Sequence, residues 1–204
     1  MIADWFARLQ KFVNDQDWPP LRFNKGLSER VIAKAEKKMK MEFPSQFKQY
    51  LTHANGEILS GESFPWLPGC EPLAPLDDII KGWNDQTDNT EGKHINANVL
   101  CNGKVKNYYY SDRRIPIAGG PLWNDSIVFI DLDPGPGGEL GQLIYRAKGG
   151  PFTWIDESLE TAVSRWVQLL ESGEWIFDSN LNNVRPKSRK KIIKPILLFS
   201  ADPL

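Results

Sequence analysis

Apolar residues recur every three or four positions near both ends of the chain, the spacing that places side chains on one face of an α-helix. Three such stretches precede Gly56, and a fourth lies near the C-terminal end. Turn residues bound them: Pro19 follows the first, Ser28 begins the second, and Pro44 and Asn55 enclose the third. We therefore predict helices over residues 2–13, 28–40, 44–54 and 159–171. The second helix is expected to bury Val31, Ile32, Ala35 and Met39.

Between these helices the pattern changes to that of short strands. A proline-rich stretch around Trp66 and a short predicted helix over residues 77–83 come first, followed by a polar stretch from Asn84 to Asn98. Five segments rich in β-branched and aromatic residues then follow, at 107–111, 115–118, 126–132, 142–147 and 152–155. Helices, then a meander of strands, then a helix is the order of an α+β fold. Because the third segment is apolar at successive positions, we expect that strand to be covered on both faces.

Charge is unevenly distributed over a chain whose length of 204 residues suits a single domain. The residues before Arg185 carry 19 basic and 25 acidic side chains, whereas the segment from Arg185 onward carries six basic and one acidic. A body of net charge −6 lacks the cationic field that sequence-independent DNA binding requires. The basic segment is either an arm for a nucleic acid or acidic partner, or a solvated extension, which we favour. We therefore predict a domain over residues 1–177 and a basic C-terminal extension over residues 178–204.

The two cysteines, Cys70 and Cys101, bear on the cellular compartment. The first residues are amphipathic, carry an early Asp4 and have no small-residue cleavage site, unlike a signal peptide. No apolar run approaches the ~18 residues that cross a bilayer. We expect a cytoplasmic protein with reduced thiols and no membrane partner. A secreted form with a Cys70–Cys101 disulfide is the weaker alternative.

The segment from Asp131 to Gly138 is the most unusual in composition, since two aspartates precede a turn rich in proline and glycine. One interpretation is a divalent-cation site in which Asp131 and Asp133 share a strand face and serve a metal-dependent hydrolase. The other, which we favour, is a hairpin turn whose glycines adopt positive φ and whose aspartates cap turn amides. Cysteines and histidines lack zinc-ligand spacing and no nucleophile motif occurs, so we expect no catalytic residues, no metal and no enzyme activity.

Several segments, taken in order, resemble the SUKH superfamily, typified by fungal Smi/Knr cell-wall regulators and many bacterial homologues. The matching segments are the Gly26-Leu27-Ser28 helix start, Phe43–Leu51 with the terminating Asn55-Gly56, Ile115–Ala118, and Ile127–Gly138 leading to Gly141–Ile144. They span roughly residues 1–177. The resemblance implies a mixed, mostly antiparallel sheet packed with N-terminal and C-terminal helices, with no cofactor and no catalytic residues.

The resemblance also implies that the chain works by binding. Bacterial members are similar to immunity proteins that hold a cognate toxin domain inactive, and fungal members look like signalling scaffolds in cell-wall synthesis. An acidic body suits an inhibitor of a cationic toxin domain, because opposite potentials speed association. We therefore expect an immunity protein that neutralises a bacterial toxin domain, with an intracellular regulatory scaffold as the alternative. Nucleic acid is expected as a partner only through the basic extension.

We expect the partner-binding surface to combine aromatic anchors with acidic side chains. Four segments offer that mixture: the turn after the third helix, the turn before the Asp131 strand, the start of the short helix, and the segment from Asp131 to Gly138. The candidates are Glu57, Trp66, Asp77, Asp78, Trp123, Asp125, Asp131 and Asp133. Two alternatives stay open: Trp66 is equally suited to the core, and Asp77 and Asp78 are equally suited to stabilising a helix dipole.

Overall fold

The computed structural model describes residues 4–16, 18–58, 64–87, 101–120, 123, 126–181 and 183–188. Within these residues the helices are α1 Asp4–Asn14, α2 Glu29–Met39, α3 Ser45–His53, α4 Leu76–Thr87 and α5 Leu159–Glu171. The strands are β1 Phe23–Lys25, β2 Ala54–Glu57, β3 Arg114–Ala118, β4 Ile127–Asp131, β5 Gln142–Arg146, β6 Phe152–Asp156, β7 Trp175–Asp178 and β8 Asn183–Pro186. The α+β fold expected from the element order is confirmed.

The main sheet is an antiparallel meander in the order β3-β4-β5-β6. Phe129 of β4 lies opposite Pro116 on one side and Ile144 of β5 on the other. Every residue of β3, β4 and β5 is buried, which confirms that β4 is covered on both faces. Such a strand cannot alternate between apolar and polar residues, because neither face meets water. Two further pairs, β1-β2 and β7-β8, form separate two-stranded sheets.

Helix α5 packs its apolar stripe into the core and begins and ends where the sequence pattern predicts. Ser158 caps it: the hydroxyl of Ser158 accepts from the Thr161 backbone amide at 3.1 Å, and the Thr161 side chain accepts from the Ser158 amide in return. On the buried face, the Trp166 ring meets Trp175 edge-on, with centroids 4.9 Å apart. An ion pair between Arg8 and Glu171 at 2.9 Å joins the exposed sides of α1 and α5.

Two local predictions are wrong. Val31 is 42% exposed, because the buried face of α2 is the narrower stripe of Ile32, Ala35 and Met39. Residues 107–111 do not form a strand. Buried arginine side chains hold the backbone here: Arg114 donates to the carbonyls of Lys106 and Tyr108 at 3.0 and 2.6 Å, and Arg146 donates to that of Tyr109 at 3.4 Å.

The hairpin formed by β7 and β8 adds structure that the sequence pattern does not predict. Phe177 lies opposite Val184, and Val184 is fully buried. The predicted boundary between residues 177 and 178 therefore falls inside a paired hairpin. The remainder of the predicted extension, from residue 189 onward, lies outside the described residues.

Cys70 and Cys101 are both free thiols in this structure, as expected for reduced cysteines. The Cys101 thiol is buried and donates to the Phe152 carbonyl oxygen at 3.2 Å. Among the helices of the described ranges, none is both long and apolar enough to cross a membrane.

Candidate protein-binding cleft

Three of the predicted partner-binding residues, which are far apart in sequence, line one cleft of about 460 Å³. Glu57 comes from the end of β2, Asp78 from the first turn of α4, and Trp123 from the turn after β3. The segment from Glu71 to Pro75 forms a wall of the same cleft, and Lys81, one helical turn after Asp78 in α4, also lines it. We refer to this feature as the Glu57 cleft.

Glu57 is the most unusual group of the cleft, because its carboxyl group is buried and forms no ion pair with a cation of the described residues. The residue is 5% exposed. Its Oε1 accepts a hydrogen bond from the Leu73 amide at 2.9 Å, and its own amide donates to the Leu73 carbonyl at 2.8 Å. Burial raises the pKa of the Glu57 carboxyl to about 7, and the Leu73 hydrogen bond offsets only part of that effect.

The Asn55-Gly56 pair positions Glu57. Helix α3 ends at His53, and the pair lies in the strand β2 that follows it directly. The Asn55 side chain accepts from the Leu76 amide at 2.8 Å and so caps the start of α4. Gly56 has φ +77°, and a Cβ there would lie 2.4 Å from the Pro75 nitrogen. Only glycine permits this close approach between β2 and the cleft wall.

Trp123 is held in the cleft by two glycines and a strained backbone. Its φ is +51°, in the left-handed region that non-glycine residues rarely adopt, and its amide donates to the Gly120 carbonyl at 2.9 Å. Its indole ring packs on Gly82 of α4 and on Gly119 after β3. A Cβ at Gly82 would lie 2.4 Å from the Trp123 ring, and one at Gly119 would lie 2.8 Å from it. The side chain is therefore fixed in position rather than free to move.

Trp66 belongs to the core rather than to the cleft surface. It is 1% exposed, and its indole nitrogen donates to the Glu71 carbonyl at 2.9 Å. Of the two interpretations of Trp66, the structure supports core packing, and the hydrogen bond holds the first residue of the cleft wall. Asp77 is exposed on the first turn of α4 but does not line the cleft. Asp125 lies outside the described residues.

Asp131 and Asp133 lie at the other end of the β3–β4 pair, since Asp131 is opposite Arg114 whereas the cleft begins beyond Ala118. Asp131 is fully buried and contacts protein donors with both oxygens. Gln142 donates to it at 3.0 Å, the Asp133 amide at 3.2 Å, and Arg114 Nε lies 3.5 Å away. Asp133 forms an ion pair with Lys106. These contacts are those of the hairpin interpretation of the two aspartates.

The glycines of the turn from Pro134 to Gly138 serve close packing, not positive φ as predicted, and positive φ occurs instead at Gly141, just before β5. Within the turn from Pro134 to Gly138 no residue has positive φ. A Cβ at Gly135 would lie 2.1 Å from the Gly103 carbonyl oxygen, and one at Gly138 would lie 2.2 Å from that of Lys104. The turn therefore packs directly on the backbone of residues 103–104. In the described part of the chain no three His, Cys, Asp or Glu side chains are grouped so as to hold a metal ion.

Comparison with known proteins bears on the identity of this fold. A search of the curated proteins found no match. The model of the SMI1/KNR4 family (SUKH-1) matches residues 26–165, which include α2 to β6, the Glu57 cleft and the Asp131 hairpin. This match covers more than half of the 204 residues and confirms the resemblance seen in the sequence, over a narrower span than residues 1–177. The chain belongs to the SMI1/KNR4 family (SUKH-1).

Proposed function

We propose that this protein is an immunity protein: a non-catalytic domain that binds a cognate bacterial toxin domain through the Glu57 cleft and holds it inactive. The family is of the protein-interaction type and is generally non-catalytic, which supports binding as the activity. The finer assignment, to toxin neutralisation, rests on the charge and shape of the cleft.

The observation that carries the proposal is the assembly of Glu57, Asp78 and Trp123 in one cleft. Glu71 adds a third carboxylate, and Lys81 is the one cation among the described lining residues. Aromatic anchors surrounded by polar groups are typical of inhibitory interfaces. An acidic cleft on a body of net charge −6 attracts a cationic partner and orients it during the encounter.

Growth rescue tests the proposal. An immunity role predicts a toxin-like gene beside the gene of this protein. Bacterial cells that express that toxin-like gene should stop growing, and co-expression of this protein should restore growth. The double variant Glu71→Lys/Asp78→Lys should lose the rescue, because it reverses two charges of the cleft. The matched control is Glu139→Lys/Glu157→Lys, which reverses two exposed acids outside the cleft that form no ion pair in the described residues.

A melting curve of each variant shows whether loss of rescue reflects unfolding. Equal rescue by both double variants would exclude the cleft as the binding surface. The absence of a toxin-like neighbour, or of any rescue by the wild-type protein, would contradict the immunity role. That result would favour the alternative of a regulatory scaffold with an endogenous protein partner.

A further inference from the structure

We propose that the Glu57 cleft receives one basic side chain, a lysine or an arginine, and that the Glu57 carboxylate is its acceptor. This inference rests on the proposed function only in assigning that side chain to a protein partner. The inference specifies one side chain of the partner, a lysine or an arginine. The contacts within the cleft support that choice whatever the rest of the partner is.

The first support is the incomplete pairing of Glu57. Buried carboxylates are normally paired with cations or surrounded by donors, because an unpaired buried charge is costly. Within the described residues Glu57 Oε1 has the Leu73 amide, but no hydrogen bond reaches Oε2 and no ion pair forms. Lys81 lines the same cleft, yet it forms no ion pair with Glu57 or with any other acid of the described ranges. The carboxylate is therefore available to an incoming cation.

The second support is the hydrogen-bonding character of the cleft wall. Pro72 and Pro75 have no amide hydrogen. The Leu73 amide donates to Glu57 Oε1, and the Ala74 amide donates to the Ile117 carbonyl at 2.9 Å. No amide of residues 72–75 is left to bind an anion. Residues 72–75 therefore offer carbonyl acceptors and no free amide donor, which favours a ligand rich in donors such as an ammonium or a guanidinium group.

The third support is Trp123, which lines the same cleft as the Glu71–Pro75 segment with 4% of its surface exposed. Lysine and arginine carry apolar stems that pack on aromatic rings, and their charged groups are attracted to the ring face. Because Gly82 and Gly119 seat the indole closely, the cleft keeps this aromatic wall before any partner binds. A preformed wall lowers the entropy lost on binding.

Among the described groups around Glu57, Lys81 is the one cation, and it forms no ion pair with Glu57. Glu71, Asp78 and Lys81 line the cleft, and Tyr50 and Cys70 lie behind it, where the Tyr50 hydroxyl accepts from the Gly56 amide at 3.1 Å. Desolvation raises the pKa of the Tyr50 phenol and that of the Cys70 thiol, so both are neutral near pH 7. Glu57 is thus the group whose ionisation near neutral pH decides the charge of the inner cleft.

Short blocked peptides test the inference without any toxin. The probes are acetyl-Gly-Lys-Gly-amide, acetyl-Gly-Arg-Gly-amide and the uncharged analogue with norleucine. Binding is followed by the NMR shift of the Trp123 indole N–H, assigned with a Trp123→Phe variant. We expect the two basic peptides to bind at pH 8 and the norleucine peptide not to bind. Glu57→Gln, which keeps the acceptor for the Leu73 amide, should weaken binding at least tenfold, and the control Glu139→Gln should leave it unchanged.

A pH series on the wild-type protein keeps the test valid even if Glu57→Gln folds poorly. Affinity for the lysine peptide should fall more than tenfold between pH 8 and pH 5.5, as Glu57 takes up a proton. Equal binding of the norleucine peptide, equal binding by Glu57→Gln, a pH-independent affinity or no binding of either basic peptide would each overturn the inference. Peptide binding without growth rescue would contradict the proposed function alone, whereas rescue without peptide binding would contradict this inference alone.

Discussion

Glu57→Gln should make the folded domain more stable at alkaline pH. The substitution keeps the size and the acceptor oxygen of the side chain, so the hydrogen bond from the Leu73 amide at 2.9 Å is retained. It removes the ionisable group from a site that is 5% exposed and has no cationic partner in the described residues. A buried charge is thereby replaced by a neutral amide.

The magnitude follows from the difference between the folded and unfolded pKa of Glu57. Burial raises this pKa from its ordinary 4.5 to about 7, so the native state binds the proton more tightly than the unfolded chain does. The stabilisation from this proton is fully present below pH 4.5 and is lost as the pH rises through 7. The loss amounts to about 3 kcal/mol. The glutamine variant cannot lose it, so its advantage over the wild type should grow by about 3 kcal/mol between pH 4 and pH 8.5.

Urea unfolding followed by far-ultraviolet circular dichroism measures this effect. The free energy of unfolding of wild type is subtracted from that of Glu57→Gln at each pH, which cancels every other titrating group and any constant effect of the amide. The reasoning would be refuted if this difference changed by less than about 0.5 kcal/mol from pH 4 to pH 8.5. A change that small lies within the error of the extrapolation to zero urea, and it is far below the expected change of about 3 kcal/mol. A carbon-13 titration of the Glu57 carboxyl should give a midpoint near 7.

Three further predictions concern the stability of the fold, each checked by the free energy of unfolding in urea. Phe129→Ala should lower it by about 3–5 kcal/mol, because Phe129 is buried on β4, the strand between β3 and β5, with its ring centroid 5.9 Å from that of Phe152. A change below about 1 kcal/mol would show that β4 is not central. Arg114→Met should lower the free energy of unfolding by about 3–5 kcal/mol, because the substitution leaves the Asp131 carboxylate buried without its cation. Adding Asp131→Asn should recover part of that loss. Truncation after Asp178 should lower the free energy of unfolding by about 2 kcal/mol or more, because it removes β8 and the buried Val184. Truncation after Ser188 keeps the β7–β8 hairpin and should therefore lower the free energy of unfolding less.

Elements whose signals are local could be predicted from the sequence. Helix α5 is the best example, since its apolar stripe, its capping Ser158 and the following Gly173 all lie within the segment. The strand predicted at 107–111 fails because the tyrosines of that segment favour a strand, while the guanidinium of Arg114 holds the backbone otherwise. Strands β1 and β2 have three and four residues, which is too short for an alternating apolar and polar pattern to be recognised in the sequence.

Three of the eight candidate residues named from the sequence line the candidate cleft, and the sequence does not indicate that these three lie together. Composition and turn chemistry point separately to Glu57, Asp78 and Trp123, and only the tertiary fold brings them to one cleft. The burial of Trp66 and Asp131 is equally a tertiary property, because nothing in their neighbouring residues distinguishes a core position from an exposed one. The role of Gly82 has no sequence signal either, since it depends on the Trp123 ring that packs on it.

Two buried acids of this domain differ in a way that separates structure from function. Asp131 has donors on both oxygens, and its neighbourhood supplies the cation Arg114 at 3.5 Å. Glu57 has one backbone donor, no cation within the described residues and an open cleft beside it. An ionised Glu57 that destabilises the free domain by about 3 kcal/mol is consistent with the general conflict between stability and activity at binding sites. A cation that restores its pairing could recover much of that free energy on binding, and about 3 kcal/mol corresponds to more than a hundredfold in affinity. Under the proposed binding of a basic side chain, the same carboxylate that weakens the free domain at neutral and alkaline pH would strengthen the complex.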